Sequence, residues 1–109
     1  MGLTKASLFN LHQNELSKVA KALAHPARIA ILQHLVKTNA CINGDLVDEI
    51  GLAQATISQH LKELKEAGFI KGNIHGNSMS YCINVNKWLQ VKNLLNELFD
   101  SVSDQDNCC

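Results

Sequence analysis

The sequence predicts a mainly α-helical domain of about five helices with one small β-hairpin. Three observations carry that expectation. Apolar residues recur at helical spacing over most of the 109 residues. The stretch from Asn43 to Gly68, NGDLVDEIGLAQATISQHLKELKEAG, reads as a short helix, a tight glycine-containing turn and a longer helix. Beyond it, Phe69-Ile70-Lys71 and Met79 to Val85 read as strands around the turn formers His75-Gly76-Asn77-Ser78, and a last helix follows.

The chain begins with a helical pattern from Thr4 to Leu23. Leu16, Val19, Ala20 and Leu23 form its stripe, and Leu3, Leu8, Phe9 and Leu11 form an earlier one. That earlier group needs a partner, either this chain's core or a second subunit. His25-Pro26 breaks the pattern, and Pro26 suits the first position of a new helix. Ile29, Leu32, Leu35 and Val36 give that helix its apolar side, and it should end near Asn39. Arg28 has two open readings, a phosphate or an acidic neighbour. Ala40-Cys41-Ile42 is too short for a helix.

The central stretch comes next. Leu46, Val47 and Ile50 share a face, Asn43 can cap, and Asp45 suits the positive end of the helix dipole. Gly51 stops this helix. In the second helix Ile57, Leu61 and Leu64 form the buried stripe, and Gly68 ends it. Short helix, turn and longer helix is the helix-turn-helix pattern, whose second helix enters the DNA major groove. At about 100° per residue, Ala55, Gln59 and Lys62 lie opposite Ile57. With Gln54, Thr56 and Ser58 they make a face that can read bases. Gln bonds adenine, Ser and Thr bond several bases, an Ala methyl meets thymine, and Lys62 neutralises a phosphate. The competing reading is an ordinary solvated helix face. His60 falls at the edge of the apolar stripe, where it either meets a phosphate or packs.

The residues LAQATISQHLKELKEAGFIKG resemble the recognition-helix signature of the ArsR/SmtB family of winged-helix repressors, and ALAHPARIAIL resembles that family's approach to its second helix. The resemblance covers roughly Leu16 to Val85. Ala53 departs from it, standing where such proteins commonly carry a Ser cap. The resemblance implies a winged helix-turn-helix fold, with the Cys41 segment as a short strand beside the wing. Lys71, His75 and Asn77 on the wing would then meet the DNA backbone or minor groove, unless the hairpin tip is merely solvated. Tyr81, Ile83 and Val85 alternate inward.

Asn86 is placed to cap the last helix. Trp88, Val91, Leu95, Leu98 and Val102 line one side of it, and Leu94 and Phe99 widen the stripe. That is more apolar face than one small core needs, so a homodimer through the first and last helices is expected. The domain spans residues 1–102, and residues 103–109 form a flexible tail ending in cysteines.

Net charge is zero, which counts against a generic nucleic-acid binder. The distribution softens this, since residues 1–40 carry Lys5, Lys18, Lys21, Arg28 and Lys37 against Glu15 alone. No apolar run is long enough to span a membrane, and the N-terminus lacks a signal-peptide pattern, so a cytoplasmic protein is expected. There is no Gly-rich phosphate loop, nucleophile elbow or HExxH, so no enzyme is expected.

The cysteines are Cys41, Cys82, Cys108 and Cys109, with no CxxC pair. Winged-helix topology brings Cys41 and Cys82 side by side. Cys108 and Cys109 suit a thiophilic ion, which binds thiolates, with a third thiolate from Cys41 or Cys82. An intersubunit site, or Cys41 and Cys82 as mere core filler, remain open. The resemblance implies a cysteine effector site, commonly a CxC pair, but Cys41-Ile42-Asn43 has Asn in the second slot. The zinc-sensing branch uses Asp and His on the last helix, and this helix has no His. The function expected is a repressor that binds an inverted-repeat operator in double-stranded DNA. A thiol-bound effector, arsenite-like or another soft metal, would release it. No cofactor is needed for folding. The alternatives are a thiol redox or persulfide sensor of the same fold, and a protein-interaction module with spectator cysteines.

Overall fold

The computed structural model describes residues 7–38, 42–43, 49–75 and 78–102; for 42–43, 73–75 and 78–79 it describes the backbone only. The elements run α1 (Leu11–Leu23), α2 (Pro26–Thr38), β1 (Ile42–Asn43), α3 (Gln54–Glu66), β2 (Ile70–His75), β3 (Ser78–Ile83) and α4 (Val85–Asp100). The sheet is antiparallel in the order β1-β3-β2.

Helix α1 starts later than the apolar pattern suggested, because a capping box sets its first turn. The Asn10 side chain accepts from the Gln13 amide at 2.7 Å, and the Gln13 side chain accepts from the Asn10 amide at 3.0 Å. Pro26 opens α2 as expected, and the amide of Ala27 donates to His25 Nδ1 at 3.0 Å. Asn43, expected as a helix cap, is instead a strand residue paired with Ser80. Glu49 and Ile50 are helical, and Gly51 then takes a left-handed φ of 83°, which suits its expected role as a stop. The remainder of the expected helix before it, residues 44–48, lies outside the described residues.

Helix α3 begins at Ala53 with no side-chain cap bond. A missing cap costs about 1 kcal/mol, and burial offsets it. Ile57, Leu61 and Leu64 are essentially inaccessible and pack with Ile31 and Leu35 of α2 and with Tyr81 of β3. Gly68, at φ 88°, turns the chain straight into β2. Within the hairpin, Gly72 pairs with Tyr81 and lies so close to the Ser80 backbone that a Cβ there would run into the Ser80 carbonyl oxygen. Only glycine fits that approach.

The start of α4 also differs from expectation. Asn84 rather than Asn86 is the cap, and its side chain accepts from the Lys87 amide. The Asn84 amide donates to the Phe69 carbonyl, and so does Trp88 Nε1, at 3.0 and 3.1 Å. Those two bonds end β3 at Ile83 and put Val85, expected to point inward, on the helix surface. Helix α4 is tied to α1 by Lys87–Glu15 at 3.0 Å and His12–Glu97 at 3.2 Å.

A polar cluster seats α3 against α1 and α2. Arg28 Nε donates to His60 Nδ1 at 3.2 Å, and its Nη1 donates to the Ala22 carbonyl at 3.1 Å. The His25 and His60 rings lie 4.3 Å apart. Arginine can only donate, so His60 Nδ1 must accept, which requires the neutral ring. Burial pushes the His60 pKa below its ordinary value of 6.5; His25 and Arg28 push the same way, and Glu63 opposes them. Between the lowered folded value and 6.5, the unfolded chain binds a proton that the folded chain refuses. The stability His60 contributes is therefore complete above pH 6.5 and is lost as pH falls from there through the folded value. Urea unfolding from pH 8 to pH 5 should show a drop that His60→Gln reduces; identical pH profiles for the two proteins would refute this seating.

Candidate nucleic-acid interface

Burial of one side of α3 forces the other side outward. Gln54, Ala55, Thr56, Gln59 and Lys62 are exposed, and Ser58 is half-buried. Two bonds run along this face: Gln54 Nε2 to Ser58 Oγ at 3.2 Å, and Gln59 Nε2 to Glu63 Oε1 at 3.0 Å. They hold the amide side chains along the helix. Ala55, Ser58, Gln59 and Lys62 border a shallow concavity of about 640 Å³, together with Lys65, Glu66 and Tyr81. Lys65 and Tyr81 were not singled out for this site from sequence. Lys65 follows Lys62 by three residues, a helical neighbour spacing that was available as a signal. Tyr81 joins only through the sheet. It is buried, and burial raises its phenol pKa.

The other expected DNA contacts divide. His60 is corrected: it is 7% exposed and turned toward Arg28 and His25, away from the outer face. Its position at the edge of the stripe resolves inward because Arg28 supplies a donor there. Lys71 is exposed on β2. His75 ends β2, paired with Ser78, and its side chain is outside what is described; Asn77 lies outside the described residues.

Of the four cysteines expected as metal ligands, Cys82 is described. It sits in the central strand β3 opposite Lys71, half-buried, and is disulfide-bonded. In that state its sulfur is not a thiolate and cannot serve a soft ion as one. Cys41, Cys108 and Cys109 lie outside the described residues. Among the described residues no group of three or more His, Cys, Asp or Glu side chains could hold a metal ion. No helix of the described residues is long and apolar enough to cross a membrane.

Comparison with known proteins fits this geometry. Residues 25–71 match the family described as bacterial regulatory protein, arsR family. The HTH-type transcriptional regulator Rv0081 of Mycobacterium tuberculosis is 41% identical over 63 residues, 58% of this chain and 55% of that protein. The chain thus spans about half the length of the curated relatives it first matches. The Rv0081 crystal structure aligns with a TM-score of 0.61 and 33% identity, over 87% of this chain and all of that one. The biofilm growth-associated repressor of Xylella fastidiosa is 31% identical over 86 residues, 79% of this chain and 75% of that protein. A homodimeric winged helix-turn-helix DNA-binding domain from Mycobacterium bovis aligns with a TM-score of 0.62 at 25% identity, over 88% of this chain and 84% of that one. Helix α3 between its glycine stops, followed by the β2–β3 hairpin, together with these matches makes this chain a winged helix-turn-helix member of the arsR family of bacterial regulatory proteins.

Proposed function

We propose that the chain is a homodimeric, sequence-specific DNA-binding transcriptional repressor whose operator affinity is set by its thiols. The observation that carries this reading is the outer face of α3, where small polar residues crowd the N-terminal half around Gln59 and a lysine follows at Lys62. Side chains of that size let a helix lie deep in the major groove. Family membership supports the same reading. With net charge zero, affinity must come from local cations and from base contacts, so nonspecific binding is modest.

Gln59→Ala should cost roughly 1–3 kcal/mol of discrimination between operator and scrambled duplex. Lys62→Ala should weaken both duplexes alike and lower the salt slope by about one. Fluorescence anisotropy on the DNA upstream of the chain's own gene measures both. Full operator affinity in both variants would remove α3 from the groove, and no binding at low salt would leave the protein-interaction reading.

The dimer rests on apolar residues the monomer leaves in water. Leu8, Leu11, Leu98 and Val102 are exposed, with Leu11 at 88%. Trp88 and Leu95, expected at the same interface, pack against this chain's own core. Two α3 helices related by a two-fold would read an inverted repeat with half-sites about 34–36 Å apart or a multiple of that. Sedimentation should give a dimer at micromolar protein and a shift toward monomer for Leu11→Glu; a monomeric parent chain would overturn the pairing.

Two effectors are compatible with the thiols. In the first, Cys108 and Cys109 bind a trivalent arsenic-like ion with a third thiolate from Cys41 or Cys82. In the second, an oxidant takes two electrons from two thiols and joins their sulfurs, releasing two protons. The disulfide at Cys82 favours the second. Operator release should then follow diamide, reverse with dithiothreitol and be lost in Cys82→Ser. Release by arsenite from the reduced protein, abolished by truncation after Asn107, would select the first instead.

A further inference from the structure

The side chain of Tyr81 ends in a hydroxyl that is shut off from solvent and has no hydrogen-bond partner among the described residues. The ring belongs to the core cluster with Ile57, Leu61 and Leu64, a place that phenylalanine would fill as well. A buried hydroxyl without a partner costs stability, and the cost is recovered when a ligand supplies the missing bond. Tyr81 also borders the concavity beside the outer face of α3. The charged side chains around that concavity are Lys62, Lys65 and Glu66, all exposed, so two cations and one anion leave one net positive charge. Neither lysine is in an ion pair among the described residues.

We propose that this concavity seats one phosphodiester of the DNA backbone, with the Tyr81 hydroxyl donating to a non-bridging oxygen and Lys62 and Lys65 beside it. The proposal rests on the reading of α3 as the DNA-facing helix and gives that face a phosphate anchor which is not a cation. The chemistry of the lining selects the class. Burial raises the phenol pKa, so the hydroxyl stays a donor and needs an acceptor. The single net positive charge matches the single negative charge of a phosphodiester, whereas a phosphate dianion would face Glu66 with one charge unmatched. An apolar guest or a cation would leave the hydroxyl without its bond. Lys62 and Lys65 stand three residues apart and are neighbours on the helix. Their flexible stems can swing aside and open the hydroxyl as the phosphate enters. A carboxylate is the rival monoanion. Ser58 and Gln59, which border the same concavity, belong to the base-reading face proposed for α3, and that favours DNA.

Tyr81→Phe removes the hydroxyl and nothing else. In urea the free variant should be as stable as the parent or more so, since an unsatisfied buried group is gone. Its affinity for duplex should fall about tenfold, as for one hydrogen bond to a charged acceptor. The loss should be equal for operator and scrambled sequence, because a backbone phosphate carries no base identity. The salt slope of Tyr81→Phe should match the parent's, while Lys65→Ala should lower it by about one. Tyr81 is the sole tyrosine, so carbon-13 at tyrosine Cζ gives a single resonance that reports its hydroxyl. That resonance should move when duplex is added and stay in place with sodium phosphate or sodium acetate at the same ionic strength. A less stable Tyr81→Phe would overturn the proposal, because the hydroxyl would then have a partner in the free chain. Undiminished duplex affinity in Tyr81→Phe, or a resonance that duplex leaves unmoved, would overturn it too and leave the hydroxyl to water. A shift with phosphate or acetate as large as that with duplex would give the concavity to a free anion instead. A parent chain that binds no duplex at low salt would remove the repressor reading and this site together. Duplex binding that is weakened by Lys62→Ala but not by Tyr81→Phe would remove this site alone.

Discussion

The constraint on which the rest of this molecule depends is the complete burial of one side of α3. Ile57, Leu61 and Leu64 have almost no accessible surface, and each has its partners on other elements. Burying an aliphatic side chain contributes roughly 1.5–3 kcal/mol, so three of them outweigh the missing cap at Ala53 several times over. The orientation of the helix follows. With the inner stripe locked, residues 55, 59 and 62 have nowhere to go but outward. The exit is held equally firmly: Gly68 reverses the chain, and the next carbonyl, that of Phe69, accepts from both the Asn84 amide and the Trp88 indole. One oxygen thus joins the end of α3, the end of the hairpin and the first turn of α4.

Those parts of the fold governed by local chemistry were legible in the sequence. Pro26, Gly51 and Gly68 act through their own backbone preferences, and the α3 stripe through its period, so neighbours far along the chain could not override them. Where two residues offered the same chemistry, sequence could not choose. Asn84 and Asn86 both cap well, and the choice was made by the Phe69 carbonyl, fifteen residues earlier in the chain. Asn43 offered a cap and a strand position, and pairing with Ser80 decided it. The need for glycine at position 72 depends on its pairing with Tyr81, which brings the Ser80 carbonyl against it and which no local pattern encodes.

The candidate site divides along the same line. The outer face of α3 follows from the angle per residue, and every polar position read from it is exposed or half-buried. His60 lay where the angle alone is indecisive. Its burial required knowing that Arg28, 32 residues away, reaches it with a donor. A neutral acceptor ring is worth burying only beside a donor. The apolar surplus of α4 was legible as a quantity but not as a destination. Part of it faces solvent at Leu98 and Phe99, and part, at Trp88 and Leu95, packs against this chain's own core.

The path from Cys82 to the outer face of α3 is short. Cys82 is adjacent in β3 to Tyr81, and successive strand residues point to opposite faces. Tyr81 is almost wholly buried and borders the concavity beneath Ala55, Ser58, Gln59 and Lys62. A covalent bond on one side of β3 fixes the strand backbone, and the side chain on the other side is what α3 leans on. Moving a two-state equilibrium from 1:99 to 99:1 requires about 5.5 kcal/mol of difference between the states. One hydrogen bond along α3, such as Gln59 to Glu63, supplies about half of that at most. A disulfide contributes about 2–4 kcal/mol, so a bond between sulfurs supplies a larger share of that difference than any single contact along α3. On the repressor reading proposed above, the energy of the switch enters through sulfur, with α3 as the element that is moved.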